Sequence, residues 1–282
     1  MGSVAADRGC RPPLTPRFPP GEAVAETALI TLWARAEETH RPDALLRDPM
    51  AVALCERLAY DFARFRGGWK SQVGVAVRGR YIDERVADFM ARHPGGQVVN
   101  LGAGLDTRFH RLDDGRVRWI DVDLPAMIAL RAHLLPAAER VTTHGASLLC
   151  SGWIDRVVPD VDRPTLFVAE GVLMFLPRRR VQALLAEIAT TCVAAEVIFD
   201  AIGPLMVRCP WLHDTLPRTT TRFAWGFRTS ADLTRLAAPV RDLVIRAMLD
   251  ETPTRWRWMR WLRPIPALRH QFVVAHGRLG ER

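Results

Sequence analysis

The chain is almost without lysine: of 39 basic side chains only Lys70 is one, and arginine supplies the rest of a formal charge of +8. The arginines are spread along the sequence rather than gathered in one stretch, which argues against a nucleic-acid surface. No run of 18 apolar residues occurs, so no membrane-spanning helix is expected. The opening residues, Met1 to Arg8, lack the apolar core of a secretion signal, and a cytoplasmic location is expected. The five cysteines, Cys10, Cys55, Cys150, Cys192 and Cys209, are odd in number, widely spaced and without a Cys-x-x-Cys pair. That pattern supports neither a disulfide framework nor a zinc site, and no metal is expected. With 49% apolar residues in 282, a folded core is secure and a wholly disordered chain is excluded.

Residues 1–21 are rich in Pro, Arg and Gly and read as an irregular tail or lid. Helical patterns follow near 22–38, 49–59 and 72–92, the last with Val73, Val77, Ile82, Val86 and Phe89 on its apolar face. Together, 22–93 read as an N-terminal helical cap. From 94 to 282 short buried strands alternate with helices. Strands are expected at 97–101, 117–122, 141–143, 165–169, 193–199, 241–249 and 271–276. Helices are expected after Pro125, at 178–190 and at 230–236, the last with Ser230 as N-cap. This alternation predicts an α/β fold, Rossmann-like and doubly wound, with a mostly parallel sheet. Residues 201–228 break the rhythm with Gly203-Pro204, Cys209-Pro210-Trp211 and Leu216-Pro217, and read as an insertion that covers a pocket.

The chemistry concentrates at Val98-Val99-Asn100-Leu101-Gly102-Ala103-Gly104-Leu105-Asp106-Thr107-Arg108, where a buried strand ends in a glycine loop. The next strand ends in Asp121-Val122-Asp123. A glycine loop after one strand and a carboxylate after the next hold a nucleoside-containing cofactor in open α/β sheets. Position 107 is Thr, so the pyrophosphate fingerprint lacks its third glycine, and Asp106 would face a dianion. A cationic sulfonium with an amino-acid tail tolerates that carboxylate better, which favours S-adenosylmethionine over NAD. Asp121 and Asp123 alternate onto the same side of their strand, and either could accept hydrogen bonds from ribose hydroxyls.

Taken together, these elements resemble the leucine carboxyl methyltransferase superfamily, and more closely its bacterial tetracenomycin-polyketide-type O-methyltransferase branch. The resemblance rests on an ordered set: Glu26-Thr-Ala-Leu-Ile, Arg47-Asp-Pro49, Arg78-Gly-Arg80, the 101–108 loop, Asp121-Val-Asp-Leu-Pro125, Ala169-Glu-Gly-Val-Leu-Met-Phe-Leu-Pro177, Trp258-Met259 and Ile265-Pro-Ala-Leu-Arg269. It covers roughly residues 22–280 and implies a seven-stranded methyltransferase sheet. It implies S-adenosyl-L-methionine held by Arg78, Gly102, Ala103, Gly104, Asp106, Arg108, Asp121, Val122, Ser147, Leu148, Glu170 and Gly171. Within that set, Asp121 takes the ribose, Glu170 the methionyl amino group and Arg78 the methionyl carboxylate, with Arg35 a second contact to the carboxylate. Ser147 to Trp153 forms the adenine side. Here the chain departs from its relatives: Cys150 stands where an aspartate is common, with Ser147 a possible substitute, and Phe175 stands where tyrosine is common.

The expected activity is O-methylation of a carboxyl or hydroxyl group on a small natural product. A carboxylate acceptor needs no general base; for a hydroxyl, His144 and His213 are the candidates, with His110 behind them. Trp69, Phe175, Met206, Trp211, Phe223 and Trp225, with Phe227, are candidates for an apolar acceptor wall, and Arg208, Arg218 and Arg222 for attraction of an acidic acceptor. The Arg255–Arg263 stretch, interleaved with Trp256, Trp258 and Trp261, reads as a packing element. The alternatives are a protein C-terminal carboxyl methyltransferase and a non-catalytic cofactor-binding assembly partner. No nucleic-acid or membrane partner is expected, and the chain is read as a monomer or homodimer.

Overall fold

The computed structural model describes residues 23–215 and 222–279; the expected tail at 1–21 and Arg218 lie outside them. Three helices come first: α1 (Ala23–Thr39), α2 (Pro49–Arg57) and α3 (Trp69–Arg92). Then β1 (Gln97–Leu101), α4 (Arg108–Leu112), β2 (Arg118–Asp123), α5 (Pro125–Leu134), β3 (Val141–Gly145), α6 (Ile154–Val157), β4 (Thr165–Ala169), α7 (Arg178–Thr191) and β5 (Ala195–Ile202) alternate. The chain closes with α8 (Pro204–Arg208), α9 (Ser230–Leu236), β6 (Val240–Ala247), a 3₁₀ segment (Pro253–Leu262), α10 (Pro266–Arg269) and β7 (Phe272–Leu279).

The seven strands form one sheet in the order β3-β2-β1-β4-β5-β7-β6. Strands β1 to β5 run parallel, and β7 enters antiparallel between β5 and β6. The order reverses between β1 and β4, and ligands bind beyond the strand ends at such a switch point. Both faces are covered, so β1 and β4 are buried at every residue. Val99, Leu101, Phe167, Val197 and Phe199 pack with Leu184, Leu185 and Ile188 of α7 and Leu233 and Leu236 of α9. The alternate residues Val98, Leu166, Val168, Ile198 and Val274 pack with Val73, Val77, Ile82, Val86 and Phe89 of α3. Helix α3 therefore belongs to the sheet's own sandwich. Gly79 lets α3 approach the chain at Leu46, whose Cδ2 would lie 2.9 Å from an added Cβ. Helices α1 and α2 share a third cluster, joined by Leu105 and Leu134.

Most expected elements fall within two or three residues of their observed limits. The clearest shifts have local causes. Helix α3 starts at Trp69 rather than 72, on a first turn whose N–H groups at Lys70 and Ser71 donate to Asp214. The N-cap of α9 is Thr229, whose hydroxyl accepts from Asp232 N, rather than Ser230. Strand β5 runs on to Ile202 because β7 pairs with it as far as Phe272. That extension places Asp200 inside the strand, fully buried.

Candidate functional site

The loop after β1 is held by backbone and side chain together. Gly102 N and Ala103 N donate to Val122 O at 2.7 and 3.1 Å, folding the loop over the end of β2. Gly102 has φ +64°, and a Cβ there would collide with Val172. Arg131 of α5 donates to the carbonyls of Ala103, Gly104 and Asp106 at 3.2, 2.8 and 2.9 Å and pairs with Asp121. Asp121 also accepts from Asn100 Nδ2 and Trp119 Nε1, both at 3.0 Å. It is 1% exposed and does not reach the cavity described below.

Asp123, two residues on and the last of β2, does line that cavity. Its Oδ2 accepts from Gly104 N and its Oδ1 from Leu124 N, both at 2.7 Å. The two aspartates share a side of the strand, as alternation requires, but only the one at the strand tip clears the sheet. The expected ribose role of Asp121 is therefore corrected: its carboxylate is a buried strut beneath the loop.

A network of ion pairs stands behind the loop. Glu170, just beyond β4, accepts from Arg78 Nε at 2.8 Å and from Arg108 Nη2. Arg78 also donates to Asp200 at 2.6 Å, and Asp200 accepts from Gly171 N at 2.7 Å. Arg108 pairs with Asp83 and Asp106, each at 2.6 Å. Arg111 bridges to Asp83 at 2.7 Å and to Asp106 and Asp48 at 3.6 Å. Arg35 closes the chain on Asp48 at 2.8 Å and on Leu105 O at 2.7 Å.

Burial alone would raise the Glu170 carboxyl; the guanidiniums of Arg78 and Arg108 overcome that and hold it down at about 2. Asp106 is likewise driven far below the usual range by Arg108 and Arg111 against the effect of burial. For Asp200, burial wins over Arg78, and its carboxyl is raised. Because Arg108 and Arg111 meet the charge of Asp106, that carboxylate by itself does not repel a phosphate; the missing third glycine is the stronger mark. Thr107 is buried instead, donating to Asp48.

One cavity of about 690 Å³ opens over the ends of β1, β2 and β4. Arg78, Gly102, Ala103, Gly104, Asp106, Ser147, Leu148, Glu170 and Gly171 all line it. Arg108 and Val122 do not: Arg108 is 1% exposed and acts from behind through Glu170, and Val122 packs in the core. Arg35 lines the cavity, with its guanidinium already committed to Asp48 and Leu105. Cys150 is exposed and off the cavity, its N–H donating to Ser147 O.

Away from the strand ends the cavity turns apolar. Phe175 and Phe223 stack at 5.4 Å with 19° between their planes, and Met206 joins them on the lining. His213 meets Phe223 edge-on at 6.3 Å, with Nδ1 3.5 Å from Ser71 Oγ and Thr215 Oγ1. Burial pushes the His213 imidazole down to about 4, so it is neutral at pH 7. His144 sits on the edge strand β3 and His110 on α4, and neither lines the cavity.

Three of the expected acceptor-wall residues are elsewhere, as is Phe227. Trp69 packs under Arg257, whose guanidinium lies 4.9 Å from its ring centre. Trp211 is 70% exposed. Trp225 is buried and donates from Nε1 to Leu173 O at 2.8 Å, and Phe227 joins the core. Their places are taken by Trp256, Trp258, Met259 and Leu262 of the 3₁₀ segment and by Gln271 and Phe272. Helical periodicity could not show this, because Arg257 breaks the segment with φ 51° and ψ −128°. Lys70, Ser71 and Asp214 also line the cavity and were not expected there.

The model of the leucine carboxyl methyltransferase family matches residues 28–189. A tetracenomycin polyketide synthesis O-methyltransferase from Streptomyces glaucescens is 36% identical over 80% of this chain and 84% of its own. An S-adenosyl-L-methionine-dependent methyltransferase from Gibberella zeae is 32% identical over 64% of this chain and 66% of its own. In fold, the chain is similar to a Streptomyces avermitilis protein (TM-score 0.58, 14% identity, 90% of this chain and 97% of that one). It is also similar to a Thermobifida fusca protein (TM-score 0.55, 15% identity, 94% and 100%). With the glycine loop, the strand-tip carboxylate and the Glu170 cluster all meeting at one cavity, the chain belongs to the leucine carboxyl methyltransferase family and is an S-adenosylmethionine-dependent methyltransferase.

Proposed function

We propose that the protein transfers a methyl group from S-adenosylmethionine to an oxygen of a flat, apolar small molecule of the polyketide kind. The observation that carries this reading is the division of one cavity into a charged end at the strand tips and an aromatic end at Phe175 and Phe223. The donor set at the charged end fits the cofactor. Asp123 offers carboxylate lone pairs to a ribose beside the Gly104 backbone. Glu170 and Arg78 present one negative and one positive group to a zwitterionic tail. Ser147 and Leu148 line the side where the adenine belongs.

Held by Asp123, Glu170 and Arg78, the cofactor would supply an electrophilic methyl on a positively charged sulfur. The protein's share is placement and exclusion of water. Phe175 and Phe223 give a ring system a stacking surface. Among the described residues, His213 is the one titratable imidazole on this cavity, and its low proton affinity makes it a weak base. A carboxylate or other ionised oxygen, which has no proton to lose, therefore suits the site better than a neutral hydroxyl. Calorimetric titration with S-adenosylhomocysteine, with NAD as control, tests the donor assignment: the homocysteine compound binds one per chain and NAD does not. Binding of NAD alone would refute it.

A further inference from the structure

Among the described residues, four side chains that carry a fixed positive charge line the cavity: Arg35, Lys70, Arg78 and Arg269. The three arginines are each ion-paired with a carboxylate: Arg35 with Asp48, Arg78 with Glu170 and Asp200, Arg269 with Asp250. Lys70 differs. Among the described residues its ammonium has no carboxylate within ion-pair distance, and its one hydrogen bond goes to Leu212 O at 3.0 Å. An ammonium has three N–H donors, so two remain for a ligand. The neighbouring Asp214 makes no ion pair with that ammonium and lies instead against the first turn of α3. Its carboxylate is occupied by the N–H groups of Lys70 and Ser71, at 2.8 and 3.1 Å, and by the Ser71 hydroxyl.

The location adds to this. Lys70 grips Leu212, the residue before His213, and His213 stands edge-on to the Phe223 ring that stacks on Phe175. The ammonium, unpaired among the described residues, therefore lies on the His213 and Phe223 side, about two turns of α3 before Arg78 of the Glu170 cluster. A point cation at the margin of an apolar, ring-stacking chamber selects a flat ligand with an anionic substituent.

We propose that Lys70 is the specificity-determining contact for an acidic group on the methyl acceptor, one separate from the group that is methylated. The group held by Lys70 orients the acceptor and is not the oxygen that receives the methyl, because hydrogen bonds from an ammonium would tie up the attacking lone pairs. This assignment rests on the methyltransferase reading above.

The test uses the full chain saturated with S-adenosylhomocysteine. Naphthalene-, anthracene- and anthraquinone-2-carboxylic acids are each titrated beside their primary amides, following intrinsic tryptophan fluorescence. Three proteins are compared: the wild type, Lys70→Met, which keeps the length and removes the charge, and Lys70→Arg, which keeps the charge. In the wild type at least one acid binds about 10-fold more tightly than its amide. Lys70→Met abolishes that preference, Lys70→Arg retains it, and affinity for S-adenosylhomocysteine is the same in all three. Acid and amide binding alike in the wild type, no acid binding at all, or a preference that survives in Lys70→Met would overturn the proposal. If the wild type takes no S-adenosylhomocysteine, the cofactor reading fails separately, and the same acid–amide comparison on the protein alone still decides the role of Lys70.

Discussion

The two ends of the cavity are built by opposite means. At the strand tips, charged side chains are paired with one another and with the loop backbone. Arg131 gathers three loop carbonyls, and Glu170 lies between Arg78 and Arg108. At the far end, the wall is made of apolar side chains from segments distant in sequence: Phe175 after β4, Met206 on α8, Phe223, and Trp256 to Leu262 near the C-terminus. The first end is preorganised for one ligand with fixed charges. The second is assembled from loop, helix and 3₁₀ side chains, with Trp256 also packed against the sheet.

The sharpest way to break this contrast is to remove the charge on which the first end is built. Glu170→Ala leaves Arg78 and Arg108 each short of a buried partner. It is expected to lower affinity for S-adenosylhomocysteine about 100-fold and to cost ~3 kcal/mol of stability, read by calorimetry and denaturant melts. Next in size is the pair of aspartates. Asp123→Asn should weaken the same ligand about 10-fold with little loss of stability. Asp121→Asn should do the reverse, costing ~2–3 kcal/mol through the Arg131 strut with a smaller effect on binding. Opposite outcomes would return the ribose to Asp121.

At the aromatic end, Phe175→Ala and Phe223→Ala should each weaken aromatic acids by about 5-fold, as expected for loss of one stacked ring. S-adenosylhomocysteine affinity should stay unchanged; a parallel loss would mean that the two ends are not separate. The smallest effect concerns His213. Its folded value of about 4 lies below the ordinary 6.5. The unfolded chain therefore binds more protons between those values, and the histidine's contribution to stability is whole above about pH 6.5 and lost as pH falls toward 4. Imidazole NMR should show no His213 titration between pH 6 and 8, and His213→Gln should flatten the acid limb of the stability profile only below 6.5.

The same contrast explains what could be read from the sequence. The Gly102–Gly104 loop was legible as a glycine turn after a short apolar strand, whereas Arg78, inside α3, and Glu170 were named only through the family resemblance. Asp121 and Asp123 could not be separated by alternation, since they lie on one side of β2; only the height of the sheet edge distinguishes them. Trp69 was misplaced because α3 begins earlier than its apolar period suggests, turning the ring toward Arg257. The Trp256–Leu262 wall was illegible for a different reason. Its backbone leaves helical geometry at Arg257, so no spacing rule connects its side chains. Lys70 was visible only as a compositional oddity, because its meaning depends on where every cavity arginine finds its carboxylate.

A crystal structure of the S-adenosylhomocysteine complex tests the central division most directly. The ribose hydroxyls should lie within hydrogen-bond distance of Asp123, the amino-acid tail beside Glu170 and Arg78, and the sulfur should face the Phe175–Phe223 stack. A nucleoside bound among Phe175, Phe223 and Trp258, with the strand tips left to the other ligand, would contradict the account.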